Sequence, residues 1–271
     1  MVSGPDFPDV SALPGTLAYA VPGWGEYLAD EVMPLASVGK LLLLASVAQG
    51  FVSGELDPGE PLGLLEQDFS AGSGLLVTLS PRRWTLLDLA RLTAAVSDNT
   101  ATNALLRRVG VERVAADAGA LGLERSRVLD RIREPRLAGH PPAFAVGTAR
   151  EVAALAAVAA GDRGWGAVLL GWMAGCLDRS MVAAGIAHDP EDSVVRDVPL
   201  SGLWVANKTG TDVGTRCDVG VVRGARQVCY AVLTRCAAGR EFDMVLAMRD
   251  VGAVVGRLAG AGGSASAEAD G

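Results

Sequence analysis

Strand-like segments lie at both ends of this chain and helix-like segments fill its middle, so any large sheet has to be assembled from the two termini. Residues 15–22 read as a short strand closed by Pro22-Gly23. Residues 203–208, 217–223 and 227–234 read as strands, the last two joined by a turn containing Gly224, a hairpin signal. Between them, residues 34–48 read as a buried helix with Pro34 near its start. Further helices are expected at 86–96, 100–108, 112–120, 148–160, 167–173 and 243–258. Residues 125–142 show no period and hold Pro135, Pro141 and Pro142, so they read as a long loop. The expected architecture is α/β (α+β). An α/β lobe from about 10–50 and 190–258 encloses a helical lobe at about 51–189, and a disordered Gly/Ala/Ser tail covers 259–271.

At 271 residues the chain can bury a core without a disulfide or metal staple. Its net charge of −7 leaves no basic footprint for nucleic acid. The two histidines, His140 and His188, sit in loop-like surroundings and in no zinc pattern. Both read as surface loop residues, which leaves poor material for a serine–histidine–aspartate hydrolase. Cys176, Cys217, Cys229 and Cys236 show no CxxC spacing and read as reduced core or half-buried thiols. No cofactor and no metal are expected. The acidic, Pro-rich start carries no leader pattern, and no apolar run reaches a membrane-spanning length without Gly, Ser or charge. A soluble, cytoplasmic monomer with a small-molecule substrate is the expectation; a chain trimmed of its leader would read the same.

Three short clusters carry chemistry. In Ser37-Val38-Gly39-Lys40 the serine and lysine share a helix face, and Leu41-Leu42-Leu43-Leu44 follows. A lysine in so apolar a helix is desolvated toward its neutral, basic form, and a neutral amine beside a serine is a nucleophile–base pair. The same residues also suit a snorkelling lysine and a capping serine. Ser97-Asp98-Asn99 falls at a helix–helix corner, where all three types also serve as caps. Lys208-Thr209-Gly210 ends a strand. Alone each cluster has a structural explanation; together, in this order on helix, corner and strand, they form a set.

That set resembles the class A β-lactamases and the wider serine penicillin-recognising family. The likeness runs from about residue 15 to 258, through Val96-Ser-Asp-Asn-Thr-Ala-Thr-Asn-Ala-Leu-Leu106 and Asn207-Lys-Thr-Gly-Thr-Asp-Val-Gly-Thr-Arg-Cys-Asp218. It implies a β-lactamase-like two-lobed fold. It also implies that Ser37 is acylated, that Lys40 activates it, and that Ser97 relays a proton to the leaving nitrogen. Lys208 would hold that hydroxyl and attract the substrate carboxylate beside Thr209 and Gly210. Asn99 would bind the substrate's side-chain amide. The N–H groups of Ser37 and Thr211 would form the oxyanion hole. Arg216 resembles an arginine that steadies the carboxylate, or is an exposed strand charge. Asp98 is expected to be a cap.

Arg131-Ile-Arg-Glu-Pro-Arg-Leu-Ala138 resembles the family's Ω-shaped loop. In the family the glutamate matched by Glu134 activates the water that hydrolyses the acyl-enzyme. Read as a residue alone, Glu134 also suits a loop ion pair with Arg131, Arg133 or Arg136. The Glu134–Pro135 bond is open to the cis form, and Asn103 resembles an asparagine that braces the loop. Two departures stand out: one extra residue before Glu134, and Ala138 where the family has an asparagine that holds the water. Ala36 before Ser37 excludes a disulfide that some relatives carry there. The implied activity is β-lactam opening. The alternatives are an esterase, amidase or D,D-peptidase-like hydrolase, and a sensor that stays acylated.

Overall fold

Strand β10 (Gln227–Cys236) is buried over nearly its whole length, and its side chains divide between two cores. Cys229, Ala231 and Leu233 enter one; Val228, Tyr230 and Val232 enter the other. A period of two buried on both faces is what a strand between two layers must show. The computed structural model describes residues 6–189 and 202–260. The five-stranded sheet has the order β2-β1-β10-β9-β8, from β1 (Gly15–Val21) and β2 (Gly25–Tyr27) at one end of the chain to β8 (Trp204–Asp212) and β9 (Thr215–Arg223) near the other. Strand β1 pairs antiparallel with β10, Gly15 opposite Cys236 and Ala20 opposite Ala231, which stitches the termini together.

Helix α7 (Glu241–Gly260) packs on one face of this sheet and α5 (Ala149–Gly161) on the other. Helix α1 (Lys40–Ser53) packs against α2 (Leu86–Ala95), α3 (Asn99–Val109), α4 (Val111–Ala120) and α6 (Trp165–Ala174). It is therefore the centre of the helical layer, although its sequence position placed it with the sheet. Conversely α5, placed with the helical lobe, lies directly on the sheet. The segment Ala36–Ser53 is long and apolar enough to cross a membrane, and 72% of it is buried inside the protein.

The structure corrects several expectations. Pro34 belongs to a two-residue strand, β3 (Met33–Pro34), and after Leu35 the four residues Ala36–Gly39 form a 3-10 turn before α1 begins at Lys40. Strand β8 continues to Asp212, four residues beyond its expected end. The middle also holds β4 (Pro61–Gly63), β5 (Arg83–Thr85), β6 (Arg127–Val128) and β7 (Ala145–Gly147). Ladders of two or three residues leave no legible alternation. His188 is half-buried rather than a surface residue, with Nδ1 against the Ile186 carbonyl at 2.8 Å. The four cysteines are free thiols, three of them buried. Residues 259 and 260 belong to α7, and the rest of the expected tail lies outside the described residues.

Candidate active site

Ser37 sits in the 3-10 turn (Ala36–Gly39), where side chains three apart eclipse, so Lys40 lies directly along from it. The Ser37 N–H is in the first turn and has no acceptor within that helix. The preceding Ala36 is held at φ +43, a left-handed conformation rare for a side-chain-bearing residue. Strand β8 is the free edge of the sheet, and it presses on this turn at Gly210. A Cβ on Gly210 would stand 2.6 Å from the Leu35 carbonyl oxygen and 3.0 Å from Ser37 N, so only glycine permits the approach.

The corner between α2 and α3 supplies the next groups. Ser97 is at φ +55, which turns its carbonyl toward Lys40. The Lys40 amine donates to the Ser97 carbonyl at 2.5 Å and to Asn99 Oδ1 at 2.8 Å. It also lies 3.1 Å from Ser97 Oγ. Lys208 Nζ lies 3.1 Å from the same hydroxyl and donates to the Thr209 carbonyl at 2.8 Å. Both lysines are fully buried. Burial first, and then the positive charge of Lys208, pushes the Lys40 amine well below the ordinary lysine range. Burial also lowers Lys208, against the pull of nearby acidic groups. An amine in its neutral form donates to two carbonyls and keeps a lone pair for a hydroxyl proton. That is the arrangement around Lys40.

Asp98 faces away from this chemistry. Its Oδ1 accepts from Ala101 N at 2.8 Å, capping α3, and its Oδ2 accepts from Leu75 N and Leu76 N at 2.6 and 2.9 Å. It ties the 71–76 loop to the corner. Asn99 Nδ2 donates to the Ala71 carbonyl at 2.6 Å. Its amide is thus oriented from both ends, by Ala71 and by Lys40.

The 131–138 loop closes another wall. Asn103 Oδ1 accepts from Ile132 N at 2.8 Å, while its Nδ2 donates to the carbonyls of Ile132 and Asp68 at 2.9 and 3.2 Å. The Glu134–Pro135 bond is cis. Arg133 pairs with Asp130 at 2.6 Å, Arg136 stands 4.0 Å from Asp130, and Arg131 donates to the Gln67 carbonyl. Among the described residues no hydrogen bond or ion pair joins Glu134, so its carboxylate lines the cleft with no protein partner. Ala138 is exposed and contributes no polar group.

Ser37, Ser97, Asn99, Glu134, Lys208, Thr209 and Thr211 all border one cleft of about 550 Å³. Lys40 is buried beneath it, and Gly210 shapes its floor. Arg216 is not brought in: its guanidinium donates to the carbonyls of Asp212 and Thr215 at 2.8 and 2.7 Å and is absent from the lining. Ser73, Asp178 and Arg136 also line the cleft and were not read as site residues from the sequence. Ser73 donates to the Ser97 carbonyl at 2.7 Å and lies 3.1 Å from Asn99 Oδ1, the two acceptors of Lys40. Asp178 is raised by burial, but the Ser180 hydroxyl and N–H, then Thr209 and Lys208, outweigh this and hold its carboxyl below the usual range. Arg136 completes the wall beside Glu134. The one sequence signal for Ser73 is its place between Gly72 and Gly74, a pair that marks a loop. Among the described residues no cluster of three or more His, Cys, Asp or Glu side chains is placed to hold a metal.

A family profile described as "Beta-lactamase enzyme family" matches residues 22–258. The fold is similar to that of a beta-lactamase from Sphaerobacter thermophilus, with 25% identity, a TM-score of 0.77, and coverage of 91% of this chain and 92% of that one. PBP-A is similar at 21% identity and a TM-score of 0.77, covering 92% of both chains. An ancestral class A beta-lactamase is similar at 23% identity and a TM-score of 0.75, covering 89% of this chain and 94% of that one. The last two likenesses show the fold alone. A search of the curated proteins returned no match.

Proposed function

The chain belongs to the beta-lactamase enzyme family and has its serine hydrolase fold, and we propose that it opens a β-lactam amide through an acyl-enzyme on Ser37. The observation that carries this reading is the single hydroxyl, Ser97 Oγ, set 3.1 Å from each of two buried lysine amines.

Ser37 Oγ attacks the amide carbonyl carbon and its proton passes to the neutral Lys40 amine. The N–H groups of Ser37 and Thr211 hold the oxyanion that forms. As the C–N bond breaks, the Ser97 hydroxyl gives its proton to the leaving nitrogen and takes one back from Lys40. Lys208 orients that hydroxyl and, with Thr209 and Thr211, attracts the substrate carboxylate; Arg216 takes no part. Asn99 meets the amide on the acyl side. In the second half, Glu134 takes a proton from a water, the water attacks the ester carbonyl, and Ser37 leaves with that proton.

A second reading is favoured by one feature of the wall. Among the described residues the Glu134 carboxylate has no protein partner, and Ala138 offers no amide to hold the water. The protein then acylates fast and deacylates slowly, and at the limit behaves as a receptor that stays acylated. Incubation with a chromogenic cephalosporin, followed by intact mass and peptide mapping, tests both readings. Turnover with a transient adduct on Ser37 is expected. An adduct on Ser97, or no adduct with any β-lactam, overturns the proposal.

A further inference from the structure

A second cavity, of about 690 Å³, runs beside the cleft between α2 and α6. Its apolar walls include Leu87, Ala95, Val168, Gly171, Trp172 and Leu177. Ala95 and Leu177 also line the catalytic cleft, so the two spaces adjoin at these residues. The Leu177 N–H donates to the Ala95 carbonyl at 3.0 Å, which fixes the saddle between them. Leu177 itself is 64% exposed, a large apolar side chain held at the surface where a chain passing from one cavity to the other would lie on it.

The groove is hollow because α6 lacks side chains there. A Cβ on Gly171 would meet nothing within 4 Å, and one on Gly175 only the Trp172 carbonyl oxygen at 3.4 Å. Glycine inside a helix costs roughly 0.5–1 kcal/mol relative to alanine, and here no close approach of backbone explains it at Gly171. The one charged lining side chain, Arg91, is 63% exposed and so stands at the rim.

The side on which the groove opens is set by its neighbours. Ala95 ends α2 two residues before Ser97, and Leu177 precedes Asp178, which lines the cleft with Lys208 and Thr209. Glu134 lies on the opposite side, where a Cβ on Gly72 would be 3.8 Å from Glu134 Cγ and 3.0 Å from Asn99 Nδ2. The groove therefore continues the leaving-group half of the cleft. Resting on the acyl-enzyme reading above, we propose that this groove is a substrate subsite, and that the protein prefers substrates whose leaving half carries an extended apolar substituent, an alkyl or aryl chain. Its volume and apolar lining are those of a small-molecule site.

The test uses two cephalosporins that share one 7-acylamino group and carry methyl or n-octyl at C3, on the leaving half. Each buried methylene gains about fourfold in affinity, so for an open groove the octyl compound should acylate with kcat/KM at least about tenfold above the methyl compound. Gly171→Leu fills the groove and should bring that ratio to within about twofold of one. The same change at Gly119, an exposed α4 glycine that also has open space, should keep the ratio. Equal rates for the two compounds in the wild-type protein, or a ratio that survives Gly171→Leu, overturns the subsite. If neither compound acylates the protein, the acyl-enzyme reading fails. Calorimetric binding of both compounds to Ser37→Ala protein, with and without Gly171→Leu, then decides the groove by the same ratio.

Discussion

The amines of Lys40 and Lys208 approach one hydroxyl, Ser97 Oγ, from two sides at 3.1 Å each. Two ammonium groups sharing an acceptor this closely repel, and both are out of water. The strain is relieved when one of them is neutral. Lys40 is that one: burial and the positive charge of Lys208 push its amine well below the ordinary lysine range, which leaves it a lone pair for a proton from Ser97 or Ser37.

This relationship sets the pH dependence of acylation. Lys40 acts as a base only when neutral, so the acylation rate should rise with pH through the Lys40 pKa and then level. Burial and Lys208 place that limb well below the ordinary lysine range. Lys208→Ala removes the positive neighbour, so the limb should move to higher pH, with acylation at pH 7 slower by roughly a hundredfold, the loss of a well-placed electrostatic partner. Stopped-flow acylation between pH 5 and 10 measures it. A limb that stays in place shows that Lys208 does not tune Lys40.

Asp98 is expected to matter for stability more than for chemistry. Asp98→Ala leaves the N–H groups of Leu75, Leu76 and Ala101 without their acceptor. The loss of a cap and of buried partners should cost about 2–4 kcal/mol. Asp98→Asn keeps one acceptor oxygen and should fall between the two. Urea midpoints give the order; an Asp98→Ala protein as stable as the wild type would show that the loop holds itself.

The three clusters could be read from the sequence because each keeps its chemistry in adjacent residues: Ser37 with Lys40, Ser97 with Asn99, Lys208 with Thr211. What places them could not. The left-handed backbone at Ala36 and Ser97 follows from the packing of β8 and α1 around them, and neither residue type announces it. Ser73 joins the Lys40 acceptors only because Asp98 pins its loop 23 residues away in sequence. Arg216 looked suited to a carboxylate, but at the turn between β8 and β9 the nearest acceptors are its own hairpin's carbonyls. Glu134 is the reverse case. Three neighbouring arginines suggested an ion pair, yet Asp130 takes Arg133 and lies beside Arg136, and the glutamate is left to the cleft.

A buried acid behind β8 should give the protein a distinctive stability profile. Asp218 accepts from Val182 N at 2.9 Å, Asn207 Nδ2 at 3.1 Å and the Tyr230 hydroxyl at 3.2 Å. Burial outweighs these donors and raises its pKa to about 7 from 3.8. A folded pKa above the unfolded one means that the folded state binds the extra proton. The stability linked to it is full below about pH 4 and is lost as pH rises to about 7, up to about 4 kcal/mol. Wild-type stability minus that of Asp218→Asn, from urea unfolding at each pH, should therefore fall across that window and flatten above it. A flat difference from pH 4 to 8 would place the Asp218 pKa in the ordinary range.

The deacylating step separates a turnover enzyme from a receptor. Asn103 holds Ile132 and so sets where Glu134 projects into the cleft. The carboxylate lines the cleft, and Ala138 gives the water no amide to hold it. Deacylation should limit the rate, giving a burst of one equivalent and then slow turnover. Glu134→Gln should keep the burst and abolish the slow phase, because an amide does not accept the water's proton. Ala138→Asn adds a hydrogen-bonding amide four residues after Glu134 and should speed the slow phase by about tenfold or more, the ceiling being the roughly 10²–10⁴-fold that a positioned base contributes. Both follow from single-turnover and steady-state rates with one cephalosporin. Steady-state turnover unchanged in Glu134→Gln would remove Glu134 from the mechanism. A slow phase unchanged in Ala138→Asn would mean that the water is held by another polar group of the cleft lining, such as Arg136 or Asn99.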